Sequence, residues 1–461
     1  MNKIALIPID NRPVCYCLPK QIADITNEFE LFLPPRELLG DLVKSADTKA
    51  LMDWLENQKD CDFIILSLDT IAYGGLVNSR RSNDPFEVVC QQLNKLKDIL
   101  SKSRAKIFAF SSIMRISNNN YNEEEKEYWS RWGKKIFDWS YNFHSSQKNN
   151  DNECLRKHNC ISTIIPNEIL DDYLATRKRN FEINKIYLNW VYENILDFLV
   201  FSKDDCAKYG LNVMEAEELD QIIKNKNLNE KAIVKTGADE IPLTLLSRVF
   251  TSEKKLRIFP RYTQPEFTNK ISKYEDISVG ESVNSQIELA GAKVAKSLDD
   301  ADFELLVNNF KNEQGELVMD VFESGFAENF ELDNIPTAIA DILNANGADN
   351  EFVKTLFEKD WSNIIGYAGW NTTGNTLGSV IAIACATFFG KKNLNKALFT
   401  RFTDDWAYQA NVRSKLKEEN SFDTNAKMHP FVDKINQKLG TNYIPSYLYP
   451  WNRHFEIEVV L

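Results

Sequence analysis

The sequence predicts an α/β protein: a (β/α)8-type, TIM-like barrel over residues 1–260, a smaller Rossmann or flavodoxin-like α/β domain over 261–392, and a helical, aromatic segment over 393–461 packing on the body. Three observations carry this. Short, continuous apolar runs rich in β-branched residues recur along the chain. Amphipathic stretches of helical spacing lie between them. The residues just after each run are polar or glycine-bearing. Continuous apolar strands are buried on both faces, as in a parallel sheet covered by helices.

The runs fall at 4–9, 29–33, 63–68, 106–110, 198–201, 232–235 and 256–259, with helical stretches such as 45–57 and 84–100 between them. They fill the first 260 residues, close to the roughly 250 a closed barrel takes. An aromatic, charged insertion, 118–194, interrupts the series and carries Trp129, Trp132, Trp139 and Trp190. It reads either as a helical excursion over the barrel mouth or as helical packing alone. Past Pro260 the pattern gives a helix at 282–290 and strands at 303–307, 338–342 and 364–368. The last strand leads into GWNTTGNTLG (369–378) and a small-residue helix at 379–386.

Composition narrows the function. Of 461 residues 43% are apolar and 26% charged, as in a globular protein. Lys plus Arg number 55 against 67 Asp plus Glu, a net charge of −12 that repels phosphate backbones and argues against nucleic acid. No apolar window reaches the ~20 residues of a membrane span, and MNKIALIPID is too short for a secretory core, so a cytoplasmic protein is expected. The eight cysteines are scattered and form no zinc-spaced set, so no structural metal and no cofactor are expected. With only four histidines, carboxylates are the expected acid/base groups.

Ligands of parallel α/β folds lie beyond the carboxyl ends of the strands. There the chain places Asp10, Asn11 and Arg12; Asp69, Tyr73 and Arg80; Arg115; Asp204, Asp205 and Tyr209; and Asp239 and Glu240. Carboxylates recurring at such positions suit a sugar or a hydrated cation, although Asp also caps helices. Asp204-Asp205 is the sharpest feature. Two adjacent carboxylates in a closed site cannot both ionise cheaply, so one stays protonated as an acid. Asp239-Glu240 is the rival pair, with the first turn of the next helix as its other reading. For Asp404-Asp405 a helix N-cap is expected. GWNTTGNTLG lacks the Lys of a nucleotide loop, but its backbone N–H groups suit an anion.

IPIDNRPVCYCLP (7–19), SLDTIAYGGLVNSR (67–80), FSKDDCAKYG (201–210), KTGADEIPLTLLSR (235–248), GYAGWNTTGNTLG (366–378) and RFTDDWAYQANVR (401–413) together resemble an uncharacterised bacterial family, domain of unknown function 4127. The family's first motif usually carries a second Asp where this chain has Asn11, which argues against an indispensable acid there. A weaker resemblance links the Asp pair to hexosaminidases with substrate-assisted catalysis. It implies Asp204 as the residue orienting the acetamido group and Asp205 as the acid. Tyr209, Asp69 and Arg115 would contact the sugar, with Trp370 stacking on it and Asn371 and Asn375 beside it.

The expected function is therefore a retaining glycoside hydrolase, with or without assistance from its substrate, acting on a small amino-sugar (N-acetylhexosaminide) glycoside, its partner a small carbohydrate. Two alternatives stand beside it. One is a Mg²⁺- or Mn²⁺-dependent hydrolase using Asp10, Asp69, Asp204 and Asp239 as ligands. The other is a non-catalytic carbohydrate-binding protein.

Overall fold

The computed structural model describes residues 1–204, 206–319, 321, 330–332, 334–421 and 423–461. It is a mixed α/β structure built on parallel sheets, and the chain divides into two compact units. Asn2–Asn11 and Phe32–Ile241 form the first; Arg12–Leu31 and Pro242–Leu461 belong to the second. Among the described residues no helix is long and apolar enough to cross a membrane.

In the first unit Asn2–Ile7 is β1, and Phe29–Phe32, β2, lies across the division between the units. Phe63–Ser67 (β3), Lys106–Ile113 (β4), Phe198–Lys203 (β5) and Ala232–Thr236 (β6) follow. β1, β3, β4, β5 and β6 are parallel neighbours in that order. The register sets Leu6 against Ile65 and Phe110 against Val200, pairing apolar residues across neighbouring strands. Ile4–Ile7, Ile64–Leu66 and Leu199–Phe201 are buried, as unbroken apolar runs require.

The turn after β3 is set locally. Ser67 caps the short helix Leu68–Tyr73 by accepting from the Thr70 N–H at 3.3 Å. Gly74 ends that helix at φ +88°, a left-handed conformation in which a side chain is strained. The next helix, Leu76–Arg81, carries Arg80. The insertion is helical as expected, with helices Trp129–Asn149, Asn152–Ser162 and Asn167–Tyr192. Trp129, Ile136, Trp139 and Tyr173 form one apolar cluster with Met114 and Ile116, just past the end of β4. The long helix Asn167–Tyr192 also reaches back into the unit. Its Arg179 donates to the Ser79 and Ser82 carbonyls, and its Asn180 to that of Ser79, fixing the helix that bears Arg80.

The second unit holds Arg257–Tyr262 (β7), Lys293–Val294 (β8), Phe303–Asn308 (β9), Gly315–Glu316 (β10), Thr337–Asp341 (β11), Asn344–Ala345 (β12), Ile364–Ala368 (β13), Ser446–Leu448 (β14) and Glu458–Val460 (β15). Its parallel sheet runs β13-β11-β9-β7-β8; β10 pairs with β12, and β14 with β15 antiparallel. This corrects one expectation. The run at 256–259, read as a seventh strand of the first sheet, pairs instead with β8 and β9. An apolar run shows that a strand is buried, not which sheet buries it. The first sheet therefore does not gain that strand toward an eight-stranded barrel.

The C-terminal region is largely helical, through Leu394–Arg401, Arg413–Glu418 and Asn425–Leu439, but it also contains the β14–β15 hairpin. Asp404 and Asp405 are not N-caps. They sit inside a wide-turned helical stretch, Phe402–Val412, that continues from the preceding helix, and Arg401 donates to both at 2.9 and 3.0 Å. Burial pushes both carboxyls above their usual range, while the Arg401 guanidinium opposes the shift.

Candidate functional site

The carboxyl end of the first unit's sheet gathers its polar groups. Asp10 follows β1 and Asp239 follows β6, and both are buried, at 3% and 5% exposure. A carboxylate oxygen of one lies within 4.8 Å of an oxygen of the other. Three strands separate β1 from β6, so a flat sheet would hold their ends about 19 Å apart. Curl of the sheet and inward-leaning loops close that distance. Two buried carboxylates this close can hold a cation or grip one ligand between them.

The segments that follow β3, β4 and β5, the strands between β1 and β6 in the sheet order, carry an ion cluster. The Arg80 guanidinium donates to Glu125 Oε1 at 3.2 Å and to Asp204 Oδ2 at 3.1 Å. Arg115 donates to Glu125 at 2.9 Å, Asp204 Oδ2 at 3.2 Å and Glu124 at 3.0 Å. The Arg80 side chain is 1% exposed and that of Glu125 3%, against 24% for Glu124. Asp204 Oδ2 is thus held by two cations. Asp205, its expected partner in catalysis, lies outside the described residues.

Asp69 sits behind this cluster. It accepts from the Ser112 N–H at 2.7 Å and the Ser111 hydroxyl at 3.1 Å. Ser111 is 2.9 Å from Asn184 of the long insertion helix, whose amide also donates to the Ser112 carbonyl at 3.3 Å. Burial pushes the Asp69 carboxyl up to about 6, with the Ser112 hydrogen bonds and Arg80 opposing. Tyr73 lies beside it, its phenol raised by burial, with Arg179 over its ring at 5.0 Å.

Other expected residues take local roles. Glu240 folds back to accept from the Ala238 N–H at 2.9 Å, satisfying its own turn. Gly237, at φ +132°, admits that carboxylate where a Cβ would come within 1.7 Å of Glu240 Oε1. The Asn11 N–H donates to the Gly40 carbonyl at 3.1 Å and its carbonyl accepts from Arg36 at 2.9 Å, so its backbone anchors a loop. Tyr209 packs edge-on to Tyr141 and His144 of the insertion and meets Asn149 at 3.1 Å.

Arg12, Trp370, Asn371 and Asn375 belong to the second unit. Arg12 lies over the Trp451 ring at 5.0 Å. The Trp370 indole donates to Ser379 at 2.9 Å, and Asn371 adopts a left-handed turn at φ +52°. In GWNTTGNTLG, read from the sequence as a place for an anion, four N–H groups have side-chain acceptors: Gly369 on Asp405, Trp370 on Thr376, Gly374 on Glu275 and Asn375 on Thr372.

Ser111, Ser112 and Lys203 stand at strand ends where the sequence reading looks for polar groups, but that reading missed Glu125, Asn184 and the buried Lys235. Lys235 was findable, since it stands near the end of an apolar strand where a solvated lysine has no reason to be. Glu125 sits in the run NEEEKE, where nothing in the sequence separates the buried carboxylate from its neighbours.

A family model described as "Protein of unknown function (DUF4127)" matches residues 4–460, and the chain belongs to that family. No curated protein and no solved structure matches it.

Two outcomes check this site. Glu125→Ala is expected to lower unfolding free energy by about 3 kcal/mol, because it strips a buried guanidinium of a partner, while Glu124→Ala costs under about 1 kcal/mol. Urea titration of both variants compares them. For Asp69 the folded protein favours the protonated form, so its contribution is complete below the unfolded value of 3.8 and is lost as pH rises through about 6. Asp69→Asn stays neutral throughout. Its stability relative to wild type should rise by about 2 kcal/mol between pH 4 and pH 7, and a pH-independent difference contradicts the assignment.

Proposed function

We propose that this member of the family is a retaining glycoside hydrolase whose carboxylate pair is Asp10 and Asp239. The observation that carries the reading is their separation. Retaining enzymes set two carboxyl groups roughly 5–5.5 Å apart so that one attacks the anomeric carbon while the other protonates the leaving oxygen. Asp10 and Asp239 approach within 4.8 Å at the strand ends where α/β folds place ligands. In the second half of the cycle the acid, now a base, takes a proton from water, which releases the sugar and restores both carboxyls.

Asp204 has a different part in this scheme. Its Oδ2 accepts from two guanidinium groups, which suits a residue that holds Arg80 and Arg115 in place rather than one that moves a proton. The pair is thus reassigned from Asp204-Asp205, and catalysis needs no help from a substrate acetamido group. Small amino-sugar glycosides remain the substrates to try first.

A second reading rests on the same pair. Two buried carboxylate oxygens this close also suit a divalent cation, which would make the protein a metal-dependent hydrolase. Purified protein assayed on aryl glycosides, N-acetylglucosaminide and N-acetylgalactosaminide included, with and without EDTA, separates the two. The glycosidase reading expects turnover that ignores EDTA and falls about 10²–10⁴-fold in Asp10→Asn and in Asp239→Asn. Turnover that is lost with EDTA and restored by Mg²⁺ or Mn²⁺ establishes the metal reading. Full activity in either variant contradicts both.

A further inference from the structure

A groove on the second unit stands apart from the residues discussed so far. It has a volume of about 560 Å³ and is lined by Trp361, Ser362, Lys391, Lys392, Lys438 and Tyr443, among others. That volume lies within the roughly 300–1,000 Å³ of small-molecule sites. In a chain of net charge −12, three lysines line this groove against one aspartate, Asp360. The Asp360 carboxylate is already engaged by the Ser362 N–H at 3.0 Å and its hydroxyl at 2.8 Å.

The lysines come from two separate parts of the chain. Lys391 and Lys392 lie between the helices Thr373–Phe389 and Leu394–Arg401, and Lys438 lies in the last turn of Asn425–Leu439. Lys438 is held in place, donating to the Lys359 carbonyl at 2.5 Å and standing over the Trp361 ring at 5.5 Å. Lys392 meets Asn27 at 3.3 Å, and the Lys391 ammonium has no partner among the described residues. Three ammonium groups against the single Asp360 carboxylate, which Lys438 also faces, leave a local surplus of positive charge, and lysine meets phosphate as a point charge. Beside them Trp361 is stacked on Phe402 and Tyr443 packs edge-on to Phe399, giving the groove a fixed aromatic wall.

From this juxtaposition we propose that the groove binds a small phosphate ester, its phosphate among Lys391, Lys392 and Lys438 and its ring against the Trp361 and Tyr443 wall. The site is independent of the Asp10–Asp239 pair, so its test does not depend on hydrolytic activity.

Calorimetric titration of the full chain with glucose 6-phosphate and ADP, with glucose and adenosine as uncharged controls, tests it. The expected result is saturable binding of at least one ester with Kd below about 1 mM and none of the controls. That binding should weaken about tenfold or more in the Lys391→Ala/Lys392→Ala variant and again when salt is raised. Both lysines are exposed, so the variant is expected to keep its fold, which circular dichroism verifies. Absence of saturable binding by both esters, or binding unchanged in the variant, overturns the proposal.

Discussion

Burial of the Arg80 guanidinium is the constraint on which the first unit's site depends. Arginine stays protonated inside a protein, so a side chain 1% exposed must be met by carboxylates or by nothing stable at all. Glu125 and Asp204 supply that charge and share it with Arg115. The four residues come from the helix after β3, the end of β4, the start of the insertion and the end of β5. One electrostatic requirement therefore ties together segments far apart in sequence. It also explains why the insertion belongs to the site, since Glu125 enters with it and Arg179 and Asn180 hold the helix that presents Arg80.

Around that cluster the sheet divides the labour. Its strands are apolar through the middle, where no polar group could be satisfied, and turn polar only at their carboxyl ends. Asp69 shows the consequence. Kept from water but given two hydrogen-bond donors, its carboxyl titrates near 6 rather than in the ordinary acid range. Asp10 and Asp239 occupy the same end with a different environment. They approach each other across a gap that strand spacing alone would leave several times wider.

Much of this was legible in the sequence, and the reasons for the rest are physical. The runs at 63–68 and 198–201 announced β3 and β5 because burial on both faces leaves little freedom for polar residues, and 232–235 announced β6 through its apolar start. The strand-end positions of Asp10, Asp69, Arg115, Asp204 and Asp239 followed from the same pattern. Which strand joins which sheet did not, because hydrogen-bond partners are chosen by topology; β7 shows this. Which carboxylates pair was also hidden. Adjacency made Asp204-Asp205 conspicuous, whereas Asp10 and Asp239 are 229 positions apart and meet only through the curl of the sheet. Glu240 and the 369–378 turn looked like ligand groups because a satisfied backbone and an available one have the same sequence.

The measurement that bears most directly on the account is covalent trapping. A 2-deoxy-2-fluoro glycoside with a good leaving group slows breakdown of a glycosyl-enzyme, and peptide mass spectrometry then locates the sugar. The account predicts one label per chain, on Asp10 or Asp239, and none in the variant lacking that carboxylate. A label on Asp204 or Asp205, or substrate turnover without any covalent intermediate, contradicts it.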